Sequence, residues 1–220
     1  MGTDILDGID GILFDLDGTL ADTFLDLRTA VNHVRGQRSL PPLPLDVVMS
    51  HVGRGVGSLV AGALQADDPV MIAQGIDAFR TYYAAHLLDE TRAYPGAVDA
   101  VASLVGRRRA VLSNKPEAMT RSIVEGLGYR PYLDGAWGGD SFTVMKPDPA
   151  AILSVLAIMG VSPDRALMVG DSDVDIEAAR RAGVRSALVR TGLWRASVMP
   201  PDVVVENLAE LVNRLDSAAR

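Results

Sequence analysis

Four stretches of this 220-residue chain place polar groups just beyond short apolar runs. In "GILFDLDGTLADT" (11–23), Ile12, Leu13 and Phe14 lead into Asp15 and Asp17, followed by Gly18 and Thr19. "AVLSN" (110–114) ends in Ser113 and Asn114, "VMKPDP" (144–149) carries Lys146, and "MVGDSDVD" (168–175) closes on Asp171, Asp173 and Asp175. Taken singly, an Asp-x-Asp or a Ser-Asn pair after a strand reads as a loop start or helix N-cap. Taken together they bring acids, a hydroxyl, an amide and one lysine to one place. Carboxylates gathered there repel one another unless a cation or a proton offsets the charge. The chain has no cysteine, and its three histidines, His33, His51 and His86, are scattered without metal-ligand spacing. Hard oxygen ligands then select Mg²⁺, which commonly takes one or two carboxylates and completes its shell with water and substrate phosphate. The composition points to phosphoryl chemistry.

The elements that must position these groups follow from the hydrophobic pattern. Apolar, β-branched runs at 11–15, 110–114, 166–171, 186–190 and 203–205 read as buried parallel strands. Helical patterns lie at 116–127, 149–159, 173–182 and 208–218, the third stopped by Gly183. This alternation predicts an α/β fold with a doubly wound, mainly parallel sheet, in which ligands bind outside the carboxyl ends of the strands. The polar groups sit at those ends. Between the first strand and the second, the gap far exceeds the roughly 30 residues of a βαβ unit. Its content is helical: Leu27, Val31 and Val34 share one face, Val56, Leu59, Val60 and Ala63 another, and Met71 to Leu88 gives a third pattern. We therefore expect a catalytic core from 1–20 and 92–220 and an inserted all-helical cap from 21–91, with connectors at 20–23 and 91–96.

Charge narrows the function classes. A net charge of −7 opposes binding to nucleic acid. No apolar run approaches the roughly 18 residues of a membrane span, and the acidic N-terminal stretch is unlike a signal peptide. The absence of cysteine suits a reducing compartment, so a cytoplasmic protein, monomer or homodimer, is expected. "GRGVG" (53–57) is no nucleotide loop, since no strand precedes it and no Gly-Lys-Ser follows. As a cap element facing the core, however, its Arg54 could meet a substrate carboxylate. Trp194 and Arg195 read as a partly buried edge of the core.

"DLDGTLADT", "LSN", "KPDP" and "GDSDVD", in that order, resemble the haloacid dehalogenase superfamily of aspartate-nucleophile phosphotransferases. "VGRGVGSLV" (52–60), "YPGAVDAVASL" (94–104) and "GDSDVDIEAARRAGV" (170–184) are similar to its phosphoglycolate phosphatase group with a helical C1 cap. The resemblance implies that Asp15 attacks phosphorus and that Asp17 protonates the leaving oxygen, then deprotonates water. It implies phosphate contacts from Ser113, the amides around Asn114, Lys146 and the Gly18-Thr19 turn. It places Mg²⁺ on Asp15, Asp171 and the Asp17 carbonyl, with Asp175 in support and Asp173 without a defined role. The implied substrate is a small phosphorylated metabolite, 2-phosphoglycolate first. A β-phosphoglucomutase-like mutase, or a phosphatase for another sugar phosphate or nucleotide, are the alternatives.

Overall fold

The computed structural model describes residues 5–193 and 199–218; the expectation for Trp194 and Arg195 lies outside them. Strand β1 (Gly11–Phe14) leads into a two-residue strand β2 (Ala21–Asp22) and then four helices, α1 (Phe24–Gly36), α2 (Leu45–Met49), α3 (Gly55–Leu64) and α4 (Pro69–Ala85). The chain returns through β3 (Arg92–Ala93) and α5 (Ala97–Ser103) to β4 (Arg108–Leu112), α6 (Glu117–Gly126) and β5 (Gly135–Trp137). It ends with α7 (Pro149–Met159), β6 (Ala166–Gly170), α8 (Asp173–Ala182), β7 (Arg185–Val189), β8 (Val203–Val205) and α9 (Leu208–Ala218).

Six strands form one sheet in the order β5-β4-β1-β6-β7-β8, and every pairing is parallel. β1 lies inside the sheet, with Phe14 in register with Val111 of β4 and Val169 of β6. All four of its residues are buried, as a strand covered on both faces requires. Alternate residues serve opposite faces. Ile12 and Phe14 join Val111, Val169 and the Leu208, Leu211 and Leu215 stripe of α9, while Leu13 joins Leu112, Met168 and Ile152, Val155 and Leu156 of α7.

The helices between β2 and β3 build an apolar cluster of their own, in which Leu27, Val31 and Val34 of α1 meet Leu59 and Val60 of α3 and Phe79 and Tyr83 of α4. Helix α4 begins at Pro69 because the Asp68 side chain caps it, accepting from the Val70 N–H at 3.1 Å. The two connectors are one structure: β2 and β3 pair antiparallel, Ala21 with Ala93 and Asp22 with Arg92. Buried Asp26 on α1 fastens them, accepting from the backbone N–H of Glu90 and of Thr91 and from the Thr91 hydroxyl. Among the described residues no helix is long and apolar enough to cross a membrane.

Candidate active site

Because β1, β4 and β6 are neighbours in register, the residues just past their ends emerge side by side. Asp15 N–H continues the ladder by donating to Val169 O at 2.9 Å, and Ser113 N–H donates to Trp137 O at 3.0 Å. Asp15, Asp171 and Asp175 are all buried, and each offers a carboxylate oxygen within 4.8 Å of the others. Lys146 is the cation among them: its Nζ lies 3.0 Å from Asp15 Oδ1 and donates to Asp175 Oδ1 at 2.7 Å.

The electrostatics are those of three acids short of positive charge. Burial pushes the Asp15 carboxyl up to about 7; Lys146 opposes that rise, and Asp175 and Asp17 add to it. Burial likewise raises Asp171 well above the ordinary carboxylate range, helped by Asp175 and Asp15 and opposed by the Leu193 N–H, which donates to it at 2.6 Å. Burial works against the charged form of Lys146, yet Asp15 and Asp175 leave its ammonium raised. Among the described residues, Asp15 Oδ1 has no hydrogen-bond partner apart from the Lys146 ion pair. A buried, underpartnered carboxylate oxygen beside a second carboxylate fits a hard divalent cation.

Asp175 is held most firmly. It is the third residue of α8, and Ser172 and Asp175 form a capping box in which the Ser172 backbone N–H donates to Asp175 Oδ2 at 3.3 Å; the Ser172 hydroxyl donates to the same oxygen at 2.6 Å. Both of its oxygens are therefore engaged, one by Lys146 and one by Ser172. Asn114 ties the loops together, donating from Nδ2 to Gly53 O at 2.8 Å and to Lys146 O at 2.7 Å.

Gly18 and Thr19 form the turn expected after Asp15 and Asp17. The Gly18 N–H donates to Ala21 O and the Thr19 N–H to Leu16 O, so these amides close the turn. The Thr19 hydroxyl turns to Asp171 Oδ1 at 3.4 Å. Gly18 is required: its φ is +88°, and a Cβ there would lie 2.1 Å from Asp171 Oδ2. Arg54 is the expected residue that the structure does not bring in. It pairs with Asp173 at 3.0 Å on the surface, the two side chains 55% and 40% exposed.

Residues 9–183 match the family of haloacid dehalogenase-like hydrolases. This chain belongs to that family. The hydrolase is 36% identical over 211 residues to a phosphoglycolate phosphatase of Chromobacterium violaceum, covering 92% of this chain and 95% of that one. It is 34% identical over 208 residues to a phosphoglycolate phosphatase of Aquifex aeolicus, covering 94% and 96%. A crystal structure of a predicted phosphoglycolate phosphatase from Haemophilus somnus has the same fold, with a TM-score of 0.87 at 27% identity over 93% of this chain and 97% of that one. Within the family, the hydrolase is one of the phosphoric monoester hydrolases.

Between the sheet edge and the α1–α4 helices the hydrolase has a cavity. Asp15, Asp17, Ser113, Asn114 and Met119 line it from the core, and Leu27, Val56, Leu59 and Phe79 line it from the helices α1, α3 and α4. Three residues that sequence reasoning missed surround Asp17. The Thr23 hydroxyl donates to Asp17 Oδ1 at 2.5 Å, and Lys115 Nζ lies 3.3 Å from the same oxygen. Lys115 also donates to the Tyr83 hydroxyl at 2.8 Å. Burial disfavours the Lys115 charge, but Asp17 and Tyr83 more than offset this and its pKa is raised; burial pushes the Tyr83 phenol up to about 12. Lys115 had one available signal, its position directly after Ser113-Asn114. Tyr83, 32 residues away from Lys115, had none.

Proposed function

We propose that this enzyme hydrolyses 2-phosphoglycolate, with Mg²⁺, through a phosphoryl group carried on Asp15. The observation that carries this reading is the buried Asp15, Asp171 and Asp175 cluster around Lys146 at the sheet edge. An Asp15 carboxylate oxygen attacks phosphorus while the bond from phosphorus to the substrate's ester oxygen breaks. Asp17, held between Thr23 and Lys115, gives its proton to that leaving oxygen. Asp17 then takes a proton from water as the water oxygen attacks phosphorus. The bond to Asp15 breaks, releasing inorganic phosphate and restoring the carboxylate.

Lys146 lets two anions meet, because its ammonium offsets charge on Asp15 and on the approaching phosphoryl oxygens. The Ser113 hydroxyl and the amides near Asn114 hold those oxygens, and the Asn114 side chain serves the site by bracing its loops. Asp15, Asp171 and the Asp17 carbonyl would hold Mg²⁺, with Asp175 supporting from its anchored position. When bound, the ion stabilises charge on the transferring phosphoryl group. Phosphate-monoester hydrolysis can need accelerations up to ~10²¹, so positioning and charge stabilisation carry most of the work.

We further take residues 1–20 and 92–220 as the catalytic core and 21–91 as a cap that closes over it. The separate apolar cluster of α1, α3 and α4 and the β2–β3 ribbon support that division. The cysteine-free chain and its net charge of −7 support a cytoplasmic setting, with a small metabolite and not nucleic acid as partner. The test is phosphate release from a panel of sugar phosphates, nucleotides and 2-phosphoglycolate. The highest kcat/KM is expected for 2-phosphoglycolate, with loss of turnover on chelation of Mg²⁺. Interconversion of glucose 1-phosphate and glucose 6-phosphate without phosphate release would overturn the reading in favour of a mutase.

A further inference from the structure

One buried cation has no task in that reaction beyond bracing Asp17. Lys115 is 3% exposed, and its Nζ touches Asp17 Oδ1 at 3.3 Å and the Tyr83 hydroxyl at 2.8 Å, lying 4.4 Å from the centroid of the Tyr83 ring. An ammonium has three donors. These two oxygens take two, and the third is available to a ligand in the cavity that Lys115 lines. Lys115, on the core loop after β4, is the only cation among the described residues lining that cavity, and the cap side of the lining is apolar but for the Tyr83 hydroxyl. Lys146 lies behind Asp15, against Asp175, and Arg54 is held outside by Asp173. A substrate bearing a second anion therefore finds one partner for it, a core lysine held by Tyr83 of the cap.

We propose that Lys115 Nζ binds a carboxylate of the substrate and so selects short phosphorylated acids over neutral phosphomonoesters. The distances bound the spacing. Asp17 must reach the ester oxygen within a hydrogen bond, Lys115 lies 3.3 Å from Asp17 Oδ1, and a charge-assisted bond to a carboxylate adds one more step. Allowing for the width of the Asp17 carboxylate, the substrate carboxylate therefore lies within roughly 11 Å of the ester oxygen. That range suits an acid group a few carbons away and not the distant charge of an extended ligand. Tyr83 comes from α4, so the cap helix holds the lysine in place. A neutral ester leaves the buried ammonium short of a partner, which is how a polar pocket rejects a substrate lacking its matching group.

This inference rests on the phosphatase reading above, and its test separates the two. We would measure kcat/KM for 2-phosphoglycolate and for ethyl phosphate, which lacks the carboxylate, in the wild type and in Lys115→Met and Tyr83→Phe, with circular dichroism to check folding. The wild type is expected to favour 2-phosphoglycolate strongly. Lys115→Met should shrink that ratio by about 100-fold or more, and Tyr83→Phe by roughly 3- to 10-fold. Glycolate should lose its competitive inhibition in Lys115→Met, whereas inorganic phosphate keeps its own. Equal falls for both esters would make Lys115 a positioning residue for Asp17 only and overturn the inference. If Lys115→Met does not fold, an unchanged ratio in Tyr83→Phe overturns it. A wild type that treats both esters alike also overturns it, while leaving the phosphatase reading intact. A wild type that releases phosphate from neither ester defeats that reading itself.

Discussion

The two sides of the cavity are built on opposite principles. On the sheet side, Asp15, Ser113 and Asp171 each stand one residue beyond strands locked in parallel register, so their separation is set by backbone pairing. On the cap side, Leu27, Val56, Leu59 and Phe79 come from three helices, and their wall exists only because those helices pack together. Rigid strands suit chemistry, which tolerates little displacement. A helical wall joined to the core by a two-residue ribbon can change its lining without moving Asp15. In the proposed reading the chemistry belongs to the first side, and the choice of substrate to the seam between the two, where Tyr83 of the second side holds Lys115 of the first.

The largest expected effect is that of Asp15→Asn, which removes the proposed nucleophile and almost no volume. Turnover should fall by at least about 10⁴-fold on every phosphomonoester, by analogy with nucleophile deletions elsewhere. The fold should persist, because the substitution replaces a carboxylate that burial, Asp175 and Asp17 already disfavour. Phosphate release and a thermal melt check both halves. Comparable loss of chemistry in Leu59→Ala, on the cap side, would erase the division between the two sides. That variant should instead lose about 2–5 kcal/mol of stability and act mainly on KM.

The next effect concerns charge. Asp15 and Asp171 both have folded-state pKa values above their unfolded ones, near 3.8. Below 3.8 both states are protonated and the associated stability is present in full. As pH rises toward the Asp15 value of about 7, the unfolded chain gives up protons that the folded chain keeps, and stability is lost. Mg²⁺ should offset that loss if, as proposed, these carboxylates hold it in their deprotonated form. The gain in Tm on adding Mg²⁺ to chelated protein should therefore be larger at pH 8 than at pH 5. In Asp171→Asn the metal-free protein should melt higher than the wild type and gain little from Mg²⁺. A Mg²⁺ gain independent of pH would show that this cluster is not where the ion binds.

The same contrast explains what could be read from the sequence. The sheet side was legible because each of its groups directly follows a buried apolar run, and parallel topology brings strand ends together. β5 was missed because it is three residues long, begins with glycine and lies at the sheet edge, without the β-branched run of an interior strand. α2, at five residues, is too short to show a period. The Gly18-Thr19 turn was legible as a turn, but not the direction of its amides, which depends on Ala21 folding back. The Lys115–Tyr83 contact joins the loop after β4 to a cap helix, and no local spacing encodes it. Arg54 shows the converse: its charge was plain in the sequence, while its partner, Asp173, lies 119 residues away.

The smallest expected effect, that of Arg54→Ala, sharpens the comparison most. Arg54 and Asp173 form an exposed pair across the cap and core, and such pairs contribute little because water and salt screen them. If selection for an acid group lies with buried Lys115, Arg54→Ala should leave kcat/KM for 2-phosphoglycolate within about 3-fold of wild type and Tm nearly unchanged. Raising the ionic strength should reproduce the small change in the wild type and abolish the difference between the two proteins. A KM increase above tenfold for 2-phosphoglycolate, with ethyl phosphate unaffected, would place the selecting cation on Arg54. It would also mean that the cap moves far enough during binding to carry Arg54 from Asp173 into the cavity.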